Sequence, residues 1–149
     1  MKPHKHSVAL VIKNEKAEFL IVKRPEDEDG PLAGVWGFPA ITLTENETEI
    51  DAARRIGPAK LGVDVTVGDK IGERSSERET YTLHLSDYEA TICDGQTPNV
   101  PQSDATLTQY VDLKYSSDPS ELFIAAQRGS ECSQIYLQSI GVDWSAFSR

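Results

Sequence analysis

Ile41–Val63 reads ITLTENETEIDAARRIGPAKLGV, and the parsing of this stretch decides the fold. Thr48 is a good helix cap with an acid, Asp51, three residues on, so a helix is expected to begin at about Glu49 and run toward Leu61, with Gly62 as its stop. Gly57-Pro58 lies inside that helix. Proline removes a backbone donor and crowds the preceding turn, so a kink or interruption is expected near Arg54 to Gly57.

On the N-terminal side of this helix, Trp36-Gly37-Phe38-Pro39 implies a strand edge that turns sharply at the proline. Before it, PEDEDGPLAG (25–34) is too rich in Pro, Gly and acid to be anything but a surface loop. Glu18–Arg24 and Ser7–Lys13 are apolar, β-branched runs joined by Asn14-Glu15-Lys16-Ala17, which predicts a hairpin or strand pair. His4 and His6 belong to a polar tip and are assigned no role. On the C-terminal side, Asp64–Cys93 predicts two or three antiparallel strands with a turn near Glu77-Arg78-Glu79. Asp94–Thr106 is a polar, proline-containing loop, and Leu107–Leu113 predicts one more strand. Asp118-Pro119 caps a helix through ELFIAAQR that ends at Gly129, and Ser130-Glu131-Cys132 opens another, through Ile140. Cys132, Ile135, Tyr136 and Ser139 share one helical face, which makes Cys132 a packing residue and not a nucleophile.

At 149 residues, with 38% apolar and 26% charged, the chain fits one domain spanning residues 1–149. Fifteen Lys and Arg stand against 24 Asp and Glu, a net charge of −9. That balance argues against nucleic acid held by bulk electrostatics, so an anionic small molecule has to be met locally. The longest strongly apolar run, SVALVIK, is too short for a bilayer span, and no secretory cleavage pattern follows it. Cys93 and Cys132 have no CxxC spacing and read as reduced thiols, so a cytoplasmic location is expected.

The order strand, strand, acidic loop, Trp-x-Phe-Pro, Glu-containing loop, Arg-bearing helix and Gly-Val stop resembles the Nudix superfamily over nearly the whole chain. The resemblance implies an α/β fold, a Nudix-like α/β/α sandwich with a mixed β-sheet. The family's box reads G, five residues, E, seven residues, R-E-U-x-E-E-x-G-U, with U apolar. In that register this chain has Ile41 at the first Gly, then Glu47, then Arg55-Ile56-Gly57-Pro58-Ala59-Lys60-Leu61-Gly62-Val63. The family's three helix glutamates and its loop glutamate hold Mg²⁺ or Mn²⁺, which neutralises a pyrophosphate and activates water. Here the helix positions are Ile56, Ala59 and Lys60, so no metal is expected in the box. An ammonium within about 4 Å of a divalent ion is repelled by several kcal/mol at an effective dielectric of about 20.

Glu47 and Arg55 remain as the candidate catalytic residues, and Lys60 is a candidate to stand in for the metal's charge as an internal ion-pair partner of Glu47. Lys23, Arg24, Trp36 and Lys60 are candidate ligand-binding residues, the cations for phosphate and Trp36, with Tyr81, for stacking a base. A metal site rebuilt outside the box would draw on Glu47 and Glu73, with Glu45, Glu49, Asp51, Glu77 and Glu79 nearby in sequence. Three functions stay open: a protein that binds a nucleotide or diphosphate-containing ligand with weak or lost hydrolysis; an active Mg²⁺- or Mn²⁺-dependent pyrophosphohydrolase of nucleoside diphosphates linked to another moiety, with metal ligands recruited outside the box; and a structural or oligomerising domain with a closed cleft. A homodimer is compatible with an exposed strand edge but opposed by the net charge.

Overall fold

Strand β1 (His4–Ile12) carries two apolar sets that alternate along it. Val8, Leu10 and Ile12 are buried in one core and Ala9 and Val11 in another, so the strand is covered on both faces. The computed structural model describes residues 2–27, 30–101 and 110–144. β1 pairs antiparallel with β4 (Ala40–Thr42) on one edge and parallel with β6 (Thr82–Ile92) on the other. β6 pairs antiparallel with β5 (Val65–Glu77), giving a mixed four-stranded sheet in the order β4-β1-β6-β5. A second, antiparallel sheet has the order β3-β2-β7, built from β2 (Phe19–Lys23), β3 (Trp36–Gly37) and β7 (Asp112–Ser116).

Helix α1 (Glu49–Ile56) supplies Ala52, Ala53 and Ile56 to the core on the Val8/Leu10/Ile12 face. Helices α2 (Phe123–Gln127) and α3 (Glu131–Ser139) supply Phe123, Ala126, Cys132, Ile135, Tyr136 and Leu137 to the core on the Ala9/Val11 face. The result is the α/β/α sandwich expected from the sequence. No helix among the described residues is long and apolar enough to cross a membrane.

Two expectations need correcting, the β1–β2 pairing and the last strand, and the interruption expected inside the Glu49 helix takes a specific form. Ser7–Lys13 and Glu18–Arg24 do not form a hairpin: apart from one bridge between Lys13 and Phe19, β1 and β2 belong to different sheets. Both edges of β1 are already occupied, and the Asn14 side chain accepts the N–H groups of Lys16 and Glu18 in a tight turn that sends the chain into the second sheet. The helix from Glu49 is α-helical only to Ile56 and continues as a wider π-helical turn, Gly57–Leu61. Pro58 has no N–H to donate to the Arg54 carbonyl, and at the end of the turn the N–H groups of Gly62 and, at 3.2 Å, Val63 both reach back to the Gly57 carbonyl. The last strand is Asp112–Ser116, not Leu107–Leu113; residues 107–109 lie outside the described residues.

Candidate functional site

The loop glutamate and the helix arginine of the box frame meet directly. Thr48 caps α1 by accepting the Asp51 N–H at 3.1 Å, which fixes the start of the helix and thereby the face from which Arg55 projects. Arg55 Nε donates to Glu47 Oε2 and Nη2 to Glu47 Oε1, both at 2.9 Å, a two-pronged pair. The same Nη2 donates to the Thr42 carbonyl at 3.0 Å, and the Thr44 N–H donates to Glu47 Oε1 at 2.9 Å. The Arg55 bond, and after it the Thr44 N–H, pull the Glu47 carboxyl down from its ordinary 4.5 to about 2. Its stabilising contribution is therefore complete above the ordinary value and fades as pH falls toward 2. Arg55→Ala is expected to cost about 1–2 kcal/mol at neutral pH, given that the arginine is partly exposed. Urea unfolding should show that deficit shrinking in acid, where Glu47 is protonated in both proteins.

The positions where the family carries metal-binding glutamates do something else here. Ile56 is 0% exposed and part of the core, and Ala59 packs against the same core. Lys60 is 6% exposed, with its ammonium 5.6 Å from the centre of the Tyr110 ring. Glu47 pairs with Arg55 and not with Lys60, contrary to the ion pair suggested by the sequence. The widened turn at Gly57–Leu61 changes the direction in which Lys60 leaves the helix axis. Glu49 accepts Tyr88 OH at 2.7 Å, Ser86 Oγ at 3.0 Å and Lys70 Nζ at 3.3 Å. Burial opposes its ionisation, but these donors prevail and its carboxyl lies below the ordinary value. Lys70 also pairs with Glu73, so Glu73 belongs to the Glu49 network and Glu47 to the Arg55 network. Among the described residues, no group of three or more His, Cys, Asp or Glu is arranged around a cation site. With Ile56 in the core and both Glu47 oxygens bonded to Arg55, a divalent ion does not fit the box.

A cleft of about 620 Å³ opens beside the box, floored by β4, β1 and β6 and walled by the loop before β3 and the start of α3. Among the described residues, Lys5, Arg24, Lys60 and Arg78 line it, with Glu131 as the acid. In a chain carrying −9 overall, this is a local reversal of sign. Arg78 donates from Nη2 to the Gly129 carbonyl at 3.2 Å, which ties the β5–β6 turn to the α2–α3 connection. Cys132 also lines the cleft, but burial, and after it the Asp87 charge, pushes its thiol up to about 11, so it is not a nucleophile at neutral pH.

No family model matches the chain. A curated relative, the low-salt glycan biosynthesis protein Agl8 of Haloferax volcanii, is 39% identical over 66 residues, 44% of this chain and only 40% of that protein's length. Among solved structures, the Nudix-family MutT protein of methicillin-resistant Staphylococcus aureus 252 is 25% identical, with a TM-score of 0.65 over 94% of this chain and 98% of its own. The E. coli ORF135 protein superposes with a TM-score of 0.69 at 20% identity, covering 94% of this chain and 93% of its own. A C. elegans Ap4A hydrolase does so with 0.67 at 16% identity, covering 96% of each. The chain has the Nudix fold.

Within this Nudix frame, Arg24 and Lys60 line the cleft. Lys23 does not line it, and lies 3.7 Å from Glu26 instead. Trp36 is not part of the cleft either: it packs against the core on the α3 side, and Lys114 lies 4.7 Å from its ring centre. Tyr81 does line the cleft, with Lys5 at 5.1 Å from its ring centre. Lys5, Arg78 and Glu131 were not singled out from the sequence. The β1–β6 register sets Lys5 opposite Leu83, and the turn bond from Arg78 N–H to the Tyr81 carbonyl, 2.7 Å, brings Arg78 beside them. No local motif announces such a meeting.

Proposed function

We propose that this chain binds a nucleotide or another diphosphate-containing ligand in the cleft and hydrolyses it weakly or not at all. The observation that carries this reading is the convergence of Lys5, Arg24, Lys60 and Arg78 on one cleft of an acidic protein. Lys60 holds a position where the family has a metal-binding carboxylate, so positive charge is supplied by the chain itself. Fixed cations bind a diphosphate but leave no metal-bound water to attack it, and losing metal-centred stabilisation costs several orders of magnitude in rate. The open cleft also speaks against a purely structural domain with a closed one. The Haloferax volcanii relative, named for glycan biosynthesis, is compatible with a diphosphate-bearing metabolite as ligand.

The test has two arms. Phosphate release is measured on nucleoside triphosphates, sugar nucleotides, ADP-ribose and dinucleoside polyphosphates with Mg²⁺ or Mn²⁺, beside a Glu47→Gln control. Thermal shift is measured with the same compounds in chelator. The expected result is no metal-dependent turnover, together with a metal-independent rise in melting temperature; a ligand at a hundred times its Kd adds about 2.7 kcal/mol. Metal-dependent release lost in Glu47→Gln would replace this reading with a pyrophosphohydrolase whose ligands come from outside the box. Silence in both arms would leave a structural or oligomerising role.

A further inference from the structure

The first half of β1 meets its neighbour through histidines. By register His6 on β1 lies opposite His84 on β6, and His84 lies opposite Ser75 on β5, so the three form one row across the sheet, with His4 two residues back on the same face of β1. The His84 ring stacks with both others, its centre 4.9 Å from that of His4 and 4.6 Å from that of His6. His4 Nδ1 lies 2.7 Å from His84 Nε2, and His84 Nδ1 lies 2.7 Å from Ser75 Oγ. Lys5, between His4 and His6, belongs to the opposite face of the strand and lines the cleft.

This arrangement limits the protons it can hold. Two ring nitrogens 2.7 Å apart share a single hydrogen, whichever of them carries it. If His4 and His84 were both charged, each would present an N–H to the other, so the docked pair has room for one charge and not two. Charging His6 as well sets like charge 4.6 Å away within the same stack. A released strand has no such limit. It binds more protons than the docked one, so acid favours release. Histidine is the side chain that ordinarily makes this change between about pH 5 and 8.

The charged groups around the row leave the limit in place. Glu73 and Glu77 flank Ser75 on the same face of β5, Glu73 being paired with Lys70. Glu49 at the start of α1 bonds Ser86, two residues beyond His84, and also pairs with Lys70. Exposed Glu45 follows Leu43, whose N–H reaches the His6 carbonyl, and Lys2 before β1 donates to the Arg78 carbonyl. The four carboxylates draw protons to the row, but the nitrogen contact still holds one.

From these observations we infer that His4, His6 and His84 form an acid-operated latch, which holds the first half of β1 against β6 at neutral pH and in mild acid lets it go, taking Lys5 away from the cleft. The consequence for a ligand rests on the reading of the cleft as a diphosphate site; the release of the strand does not. The direction of the effect is distinctive. Added positive charge beside the cleft would by itself tighten anion binding, whereas the latch weakens it.

Two N–H groups report the latch: that of Thr82, which donates to the Pro3 carbonyl, and that of Leu43, which donates to the His6 carbonyl, both at 2.9 Å. Their amide exchange is measured at pH 7.5 and pH 5 and corrected for the intrinsic rate, with the Leu10 N–H, bonded to the Pro39 carbonyl farther along β1, as control. Thr82 and Leu43 are expected to lose protection tenfold or more at pH 5, and Leu10 is not. His84→Phe and, separately, His4→Phe keep a ring in the stack but remove the nitrogen contact, and each, shown folded by its melting curve, is expected to lose less than threefold. Binding of inorganic pyrophosphate is measured by calorimetry in chelator at both pH values. The ratio of affinity at pH 7.5 to that at pH 5 is expected to be at least threefold larger in the native protein than in His84→Phe, a comparison that cancels the protonation of pyrophosphate itself. Unchanged protection of Thr82 and Leu43, a loss as large in both variants as in the native protein, or equal pyrophosphate ratios would overturn the inference. Loss of protection as expected, with no pyrophosphate bound at either pH, would instead overturn the diphosphate reading of the cleft.

Discussion

Replacing Asp87 by Asn is expected to raise the melting temperature at neutral pH and to flatten its dependence on pH. Asp87 is 0% exposed, and neither carboxylate oxygen has a hydrogen-bond partner. Its neighbours on β6, Ser86 and Tyr88, turn toward Glu49; Asp87 points the other way, toward Cys132 in the opposite core. Burial pushes its pKa well above the ordinary value. For an acid shifted upward, the associated stability is complete below the unfolded-state value and is lost as pH rises toward the folded-state value. The loss runs at about 1.4 kcal/mol per pH unit through that window. Asn keeps the shape and has no proton to hold, although its buried amide gives back part of the gain. Thermal melts of both proteins across the acid-to-neutral range decide the matter. The curves should converge in acid and separate toward neutrality, and parallel curves would refute the argument.

Gly57→Ala should destabilise the protein by about 2–4 kcal/mol, within the range for overpacked or strained core positions. An added Cβ would stand 2.4 Å from the Val63 carbonyl oxygen and 3.1 and 3.2 Å from the two Val65 methyls. Backbone at that distance cannot swing aside as a long side chain can. The Gly57 carbonyl also accepts the Val63 N–H, so moving either residue loosens the turn that ends in Gly62 at φ 68. For a domain of this size each kcal/mol is worth about 2–4 °C in melting temperature, so a fall of roughly 10 °C is expected. An unchanged melt would mean that the Val63–Val65 segment yields without cost. Tightness here bears on function, because the turn that requires glycine also carries Ala59 and Lys60.

The box region was legible because its information is local. Glu47 and Arg55 are eight residues apart on a loop and the helix that follows it, so their meeting needs nothing beyond the start of α1. Gly57-Pro58 announced an interruption for a steric reason that neighbouring residues could not overrule, although the sequence did not say that it would take the form of a wider turn. The pairing of β1 and β2 was misread because an apolar run records that a strand is buried and not which strand lies beside it. Lys5, Arg78 and Glu131 escaped for the same reason. Each looks like an ordinary surface charge until the β1–β6 and β5–β6 registers bring them to one cleft. Lys23 and Arg24 adjoin in sequence but part in space: Lys23 ends β2 and lies beside Glu26, while Arg24 follows the strand and lines the cleft.

The parallel partner of β1 also sets the order in which this chain can fold. His4–Ile12 is paired with Thr82–Ile92, so during synthesis a strand whose second half, Val8–Ile12, is wholly apolar is made long before the segment that covers its edge exists. Contacts so distant in sequence are closed late and slowly, and until then Val8–Ile12 stays uncovered. The central position of β1 therefore has its cost in folding rate and transient exposure rather than in final stability.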